Sequence, residues 1–243
     1  LEPSLRAELL HRLGSAEATL RDLASIEHLR QAAEMTAEPR RALDIFLELL
    51  DVLAIGGLWE ETVETVDAAL ARFGRTELPV VLDLEALGAA SRAYDTARVA
   101  EFDADLPRLR QLVEGRPNED SRNLRWLLAA VGASREMPRR EVLELIGPPN
   151  QDWTLRSRGR ETSYIGHALF ALVLVDAGAE LDRTAKALTE DGRRRGSLLS
   201  IISGLGCAAV LGAHRGRLAA SEADIEMAIE LSRENELSLM PLT

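Results

Sequence analysis

Gly216-Arg217-Leu218-Ala219-Ala220-Ser221-Glu222-Ala223-Asp224-Ile225-Glu226-Met227-Ala228-Ile229 decides the fold, because its pattern recurs at Gly57-Leu58-Trp59-Glu60-Glu61-Thr62-Val63-Glu64-Thr65-Val66-Asp67-Ala68-Ala69-Leu70. In both, a glycine is followed at offsets of two, five, nine, twelve and thirteen by a large apolar residue, a hydroxylated one, a β-branched anchor, an alanine and a second anchor. Weaker copies hold Ser25, Leu29, Ala32 and Ala33, and, after Gly178-Ala179, Leu181, Thr184 and Leu188. Leu29 and Val66 are 37 residues apart, as are Leu188 and Ile225, and the 122 residues between Val66 and Leu188 accommodate three more such steps. A fixed period in this range marks a stacked helical-repeat array. The column Ser25, Thr62, Thr184 and Ser221 is expected where two backbones approach closely enough to need a small side chain.

Composition agrees with helices. The chain has 243 residues, 46% of them hydrophobic and 4% aromatic, so it has material for a sizeable core and little for a sheet. Leu, Ala, Arg and Glu, all good helix formers, dominate. The single cysteine, Cys207, has no internal disulfide partner, and its setting among Leu205, Ala208 and Ala209 predicts a buried thiol and a cytoplasmic protein. The apolar stretch Ile165 to Val175 is too short for a membrane span and is interrupted by Gly166-His167, so no membrane contact is expected. The chain starts without methionine and stops at Pro241-Leu242-Thr243, after a helical pattern, and is expected to be a fragment of a longer multidomain protein.

Charge excludes several functions. Lys186 is the sole lysine, and it sits between Ala185 and Ala187 in a helical pattern, so neither a P-loop nor a Schiff-base lysine is available. Residues 1–121 carry 24 acids against 13 arginines, whereas residues 122–243 carry 16 acids against 16 bases. The acidic first half argues against contact with nucleic acid.

Helical spacing runs through the chain. Ala42, Ile45, Phe46, Leu49, Leu50 and Leu53 stop at Gly56-Gly57 and are followed by an amphipathic run from Trp59 to Phe73, making one hairpin. Leu198, Ile201, Ile202, Leu205 and Ala209 lead through Arg215-Gly216 to Ile225 and Ile229 in the same way. Between them, a helix is predicted from Pro79 to Ala93. Asp105 is expected to cap another whose first turn takes Pro107, and a further one carries Leu124 to Val131 and ends at Gly132. Pro138 opens a segment with Val142, Leu143 and Ile146. About six hairpins and twelve helices result over residues 1–243, read as a single repeat domain.

One segment breaks the rhythm. The polar interruption at residues 147–160 contains Trp153, Arg156, Arg158 and Arg160, with Tyr164 close behind. Three guanidinium groups with two aromatic rings suit an anionic ligand or a carboxylate-bearing partner, held by forked hydrogen bonds and stacking. The alternative is a solvated loop with its tryptophan folded onto a helix. Other constellations read as structural: Arg193-Arg194-Arg195 suits a helix C-terminus, and Glu8 and His11 have di-iron spacing without the second motif such a site needs. His167 lies on an apolar face, and Ile202-Ser203-Gly204-Leu205-Gly206 has glycine after its serine but isoleucine before it, in a helical context. No catalytic residue, metal site or cofactor site is expected, and the segment is read as non-enzymatic.

Three stretches carry a resemblance. Ile26-Glu27-His28-Leu29-Arg30-Gln31-Ala32 followed by Thr36-Ala37-Glu38-Pro39-Arg40-Arg41-Ala42, then Arg193 to Ser197 opening a helix, then Gly216 to Ala223, together look like the tetratricopeptide-like helical-repeat region of large ATP-binding regulators of the LuxR family. That resemblance implies an all-α, right-handed superhelix of antiparallel helix pairs, a divergent tetratricopeptide-like α-solenoid. It also implies an upstream ATPase module, where ATP would bind, and a downstream helix-turn-helix that binds DNA. The segment itself would sense a small-molecule inducer or a protein partner, with ATP-driven self-association as the output. The competing expectation is a stand-alone scaffold joining two proteins.

Overall fold

The computed structural model describes residues 2–20, 22–74, 79–116, 118–147, 156–157, 160–161 and 165–235. It is all-α, with twelve helices and one short two-stranded ladder among the described residues. The chain divides into two compact units, Leu1–Leu124 and Arg125–Leu239, with the boundary inside a helix.

The first unit holds α1 (Pro3–Thr19), α2 (Ala24–Met35), α3 (Pro39–Ile55), α4 (Trp59–Phe73), α5 (Pro79–Tyr94), α6 (Val99–Val113) and the opening turns of α7 (Asn118–Ser134). Each helix from α1 to α5 packs on the next, and α3 also touches α1 and α5. The start of α3 is set locally: the Glu38 carboxylate accepts the backbone N–H groups of Arg40 and Arg41 at 2.9 and 2.6 Å, and Pro39 takes the first helical position, where no N–H is needed. Its apolar stripe Ala42, Ile45, Phe46, Leu49, Leu50 and Leu53 is buried. The stop comes at Gly57, whose φ of 72° lets the Leu58 N–H reach the Leu53 carbonyl at 2.9 Å.

Arg72, in the last turn of α4, ties two hairpins together. Its guanidinium donates to the carbonyls of Ala33 and Thr36 at 2.9 and 2.8 Å, satisfying the C-terminal end of α2. It also lies 4.7 Å from the Phe73 ring centroid, and Phe73 meets Phe46 in an edge-to-face contact. Burial of α5 extends around its whole circumference from Val80 to Ser91, including Asp83 and Glu85. Such a helix is central to its unit.

Two boundaries differ from expectation. Asp105 does not cap α6; the helix begins at Val99, after Asp95 accepts the Ala97 N–H at 2.9 Å, and Pro107 lies inside it. The proline removes one hydrogen bond, which the buried anchors Phe102 and Leu109 offset by packing. Gly132 likewise does not end α7, which continues to Ser134. A Cβ on Gly132 would lie 2.7 Å from the Met137 side chain, so this glycine serves packing; the stop is made by Glu136 at φ 62° and a bond from the Met137 N–H to the Gly132 carbonyl.

The second unit holds the rest of α7, then α8 (Arg139–Ile146), β1 (Arg156–Ser157), β2 (Arg160–Glu161), α9 (Ile165–Leu174), α10 (Gly178–Arg195), α11 (Leu198–His214) and α12 (Leu218–Glu234). α9 packs on α8, α10 and α11, α10 on α11, and α11 on α12. Trp126 is buried and donates its indole N–H to the Ile146 carbonyl at 3.2 Å, at the end of α8.

The turn at Gly57 recurs here. At Gly216 (φ 71°) the Arg217 N–H bonds the Gly212 carbonyl at 2.8 Å, and at Asp176 (φ 51°) the Ala177 N–H bonds the Leu172 carbonyl at 2.9 Å. Leu58, Ala177 and Arg217 then share nearly one N-cap conformation, φ/ψ of −86/68°, −88/56° and −88/56°. Aligned on this turn, Leu181 occupies the position of Thr62 and Ser221, because each is bonded through its N–H to the N-cap carbonyl. Thr184 therefore stands nearly one turn further along α10 than the sequence register places it. Asp176 conceals the true register, since aspartate tolerates the left-handed conformation that glycine signals elsewhere.

Thr62, Thr184 and Ser221 are all buried, and each hydroxyl donates to the carbonyl four residues earlier, at 2.6, 2.9 and 3.1 Å. Ser221 shows the packing need directly: a Cβ on Gly212 would lie 2.4 Å from its Oγ.

Candidate functional site

Of the residues proposed from sequence, Arg156 and Arg160 lie on facing strands of the β1–β2 ladder. Arg156 pairs with Glu161 and Ser157 with Arg160, antiparallel. Trp153, Arg158 and Tyr164 lie outside the described residues. The interruption is thus not wholly irregular.

Several charged constellations resolve into structural pairs. Glu8 binds Arg12 at 2.5 Å, while His11 reaches across to Glu48 of α3 at 2.9 Å and His28 binds Glu17 at 2.6 Å. Asp191 is buried at the end of α10 and accepts from Arg194 at 2.6 Å and from Arg195 Nε at 2.8 Å. Those bonds, Arg195's foremost, hold its carboxyl below the usual range. His167 is buried on α9. Cys207 is buried too, and burial pushes its thiol up to about 12, which makes it unreactive. Among the described residues no group of three or more His, Cys, Asp or Glu side chains is placed to hold a metal ion.

In the first unit, a polar cluster centres on Arg108 of α6. Its guanidinium donates to both oxygens of the buried Glu85, at 3.1 and 2.7 Å, and to both of Asp105, at 2.6 Å each. The Asp105 bond foremost, then Glu85, raises the affinity of Arg108 for its proton. On another face of α5, the buried Asp83 accepts from Asn123 of α7 at 2.8 Å. These bonds tie α5 to α6 and, separately, α5 to α7.

The second unit has a trough of about 320 Å³. Leu205, Ala208 and Leu211 of α11 form its floor, flanked by Ala185 of α10 and Ala220 of α12. Its rim carries Asp182, Lys186, Glu190 and Arg193 from α10, Arg217 at the N-cap of α12 and Asp224 within it. Small side chains on all three helices create the depression. The spacing of Asp182, Lys186 and Glu190 puts charges of alternating sign on one face of α10. That much was readable in the sequence, but the convergence of three helices on one trough was not.

No family model, curated protein or solved structure matches the chain. Among the described residues no helix is long and apolar enough to cross a membrane.

Proposed function

We propose that this chain is a non-catalytic sensing and protein-interaction module of a cytoplasmic, LuxR-type, ATP-dependent transcriptional regulator. Its helix pairs would form a right-handed, tetratricopeptide-like superhelix, and it would bind an inducer or a partner protein rather than DNA. The observation that carries the reading is the turn shared by Gly57-Leu58, Asp176-Ala177 and Gly216-Arg217, with its repeated N-cap geometry. Recurrence of one turn supports tandem units of a single design.

The regulator reading is tested on the complete coding sequence and in cells. A P-loop upstream and a helix-turn-helix downstream are expected, and absence of both would leave a stand-alone scaffold. In cells carrying the complete protein, reporter transcription should lose its induced component in an Arg156→Ala/Arg158→Ala/Arg160→Ala variant of unchanged melting temperature. An unaltered response discards the 147–160 segment as the sensing surface.

A further inference from the structure

The shared turn puts α4, α10 and α12 in one register. Trp59, Gly178 and Leu218 open these helices, Val66, Ala185 and Ile225 stand seven residues on, and Leu70, Thr189 and Ile229 four further. On α4 and α10 that side is covered by the next helix, which runs antiparallel. A Cβ on Gly88 of α5 would lie 2.8 Å from Val66 Cγ1, and the Tyr94 ring at the end of α5 lies 6.4 Å from that of Trp59. A Cβ on Gly204 of α11 would lie 2.8 Å from the Ala185 carbonyl oxygen, and one on Gly178 would lie 3.3 Å from Leu211. Each contact includes an ion pair made by an acid beside it, Asp67 with Arg92 at 2.5 Å and Asp182 with Arg215 at 4.0 Å.

On α12 the same side is bare. Leu218 is 66% and Ile229 46% exposed, whereas Leu70, at the place on α4 equivalent to Ile229, is buried. Glu226, also exposed, stands where α4 has Asp67. The neighbouring side of α12, with Ser221 and Ala228, is the one held against α11. A second bare side belongs to α1. Its Gly14 packs on Leu29 of α2, and its His11 bonds Glu48 of α3. Leu5, Leu9, Leu13 and Ala16 form an exposed stripe elsewhere on this helix. At about 100° per residue, Leu9 lies roughly 140° from Gly14 and roughly 160° from His11, so the stripe takes no part in either contact.

The two bare sides match each other. A helical array needs polar outward faces to stay separate in water, and these two are apolar. Read backward, α12 gives Ile229, Ile225 and Leu218 at steps of four and seven; read forward, α1 gives Leu5, Leu9 and Ala16 at the same steps. We infer that α1 of a second copy of this chain covers α12, antiparallel, so that copies join head to tail through the contact that α5 makes with α4 and α11 with α10. With Leu9 against Ile225, Leu5 meets Ile229 and Ala16 meets Leu218, just as Gly204 and Leu211, seven residues apart, meet Ala185 and Gly178. Arg6, about 60° round the helix from Leu9, then comes within about 3 Å of Glu226 along the axis and takes the part that Arg92 plays for Asp67. The inference goes beyond the proposed function and needs only the repeated turn, so it holds for a regulator module and for a stand-alone scaffold alike.

Sedimentation equilibrium of the 243-residue chain tests this. A contact between unlike faces leaves one of each free at the ends of an assembly, so the average mass should rise with concentration past that of a dimer. Leu9→Asp and Ile229→Asp, both at exposed positions, should each give a monomer with the helical circular dichroism of the parent. Mixed in equal amounts, the two variants should form a heterodimer and nothing larger, because the first keeps its α12 face and the second its α1 face. Adding Glu226→Arg to the Leu9→Asp chain should weaken that heterodimer about fivefold, and adding Arg6→Glu to the Ile229→Asp chain should restore it, a rescue that damaged folding would not give. A parent chain that stays monomeric up to about 1 mM, self-association of either variant alone, or no heterodimer on mixing would overturn the inference. So would a heterodimer indifferent to the charge reversal.

Discussion

Arg108 on α6 grips the carboxylate of Glu85 on α5 through both terminal guanidinium nitrogens, at 3.1 and 2.7 Å. Glu85 is only 6% exposed, while Arg108 is one-third exposed. Removing Arg108 takes two charge-assisted bonds from the buried carboxylate, a loss of about 1–3 kcal/mol. Arg108→Ala should lower the urea midpoint accordingly, and the double variant Arg108→Met/Glu85→Leu should recover part of the loss because neither charge remains. Equal stability of the single and double variants would show that loss of these bonds to the buried carboxylate is not the cause.

Two glycines of α11 should respond oppositely to alanine. A Cβ on Gly204 would lie 2.2 Å from Thr189 Oγ1 and 2.8 Å from the Ala185 carbonyl, so α10 and α11 must separate, at a cost of about 1–3 kcal/mol. Gly206 has nothing within 4 Å of such an atom. There alanine should gain about 0.5–1 kcal/mol through helix propensity alone. Thermal unfolding of Gly204→Ala and Gly206→Ala measures both signs.

Acid should remove the contribution of Asp191. Its carboxyl lies below the usual range in the folded chain, chiefly through Arg195 and then Arg194, so folding favours the charged form. The sign follows: the stabilisation is complete above the unfolded value of about 3.9 and disappears as pH falls through the lower folded value. Asp191→Asn should cost about 1–3 kcal/mol at neutral pH, and the gap to the parent should shrink below about pH 4. A constant gap down to the acid transition would contradict the pairing.

Cys207 should resist thiol reagents. It is 7% exposed, and burial pushes its thiol up to about 12, leaving little thiolate near neutrality. Ellman's reagent should titrate it in guanidinium chloride and leave it untouched in the folded chain. Rapid reaction under native conditions would show that α11 opens locally.

The columns quoted at the start were legible because they are local. Gly57 and Gly216 mark left-handed stops that glycine adopts readily, and Val66 and Leu29 repeat at helical spacing on buried faces. The stop at Asp176 carried no glycine, so the register of the third copy was displaced by nearly one turn. At Asp105-Leu106-Pro107 the local capping signal lost to the burial of Phe102 and Leu109, which holds α6 together across its proline. For the candidate site, sequence alone pointed to residues 147–160 as the break in rhythm. It gave no sign of the trough, because Lys186, Leu205 and Ala220 belong to three different helices.

By itself the sequence determined an all-α chain of about twelve helices, with most of their starts and stops, since propensity, capping and apolar period act over a few residues. Only the tertiary structure decided which charges are structural and which face a trough. Arg108, Arg195 and Lys186 look alike along the chain. What separates them is the approach of other helices: Arg108 meets a buried carboxylate on a neighbouring helix, Arg195 folds back onto Asp191, and Lys186 stands exposed beside an apolar floor. Coulomb and desolvation energies depend on distances in space, and the chain fixes those only once its helices are packed.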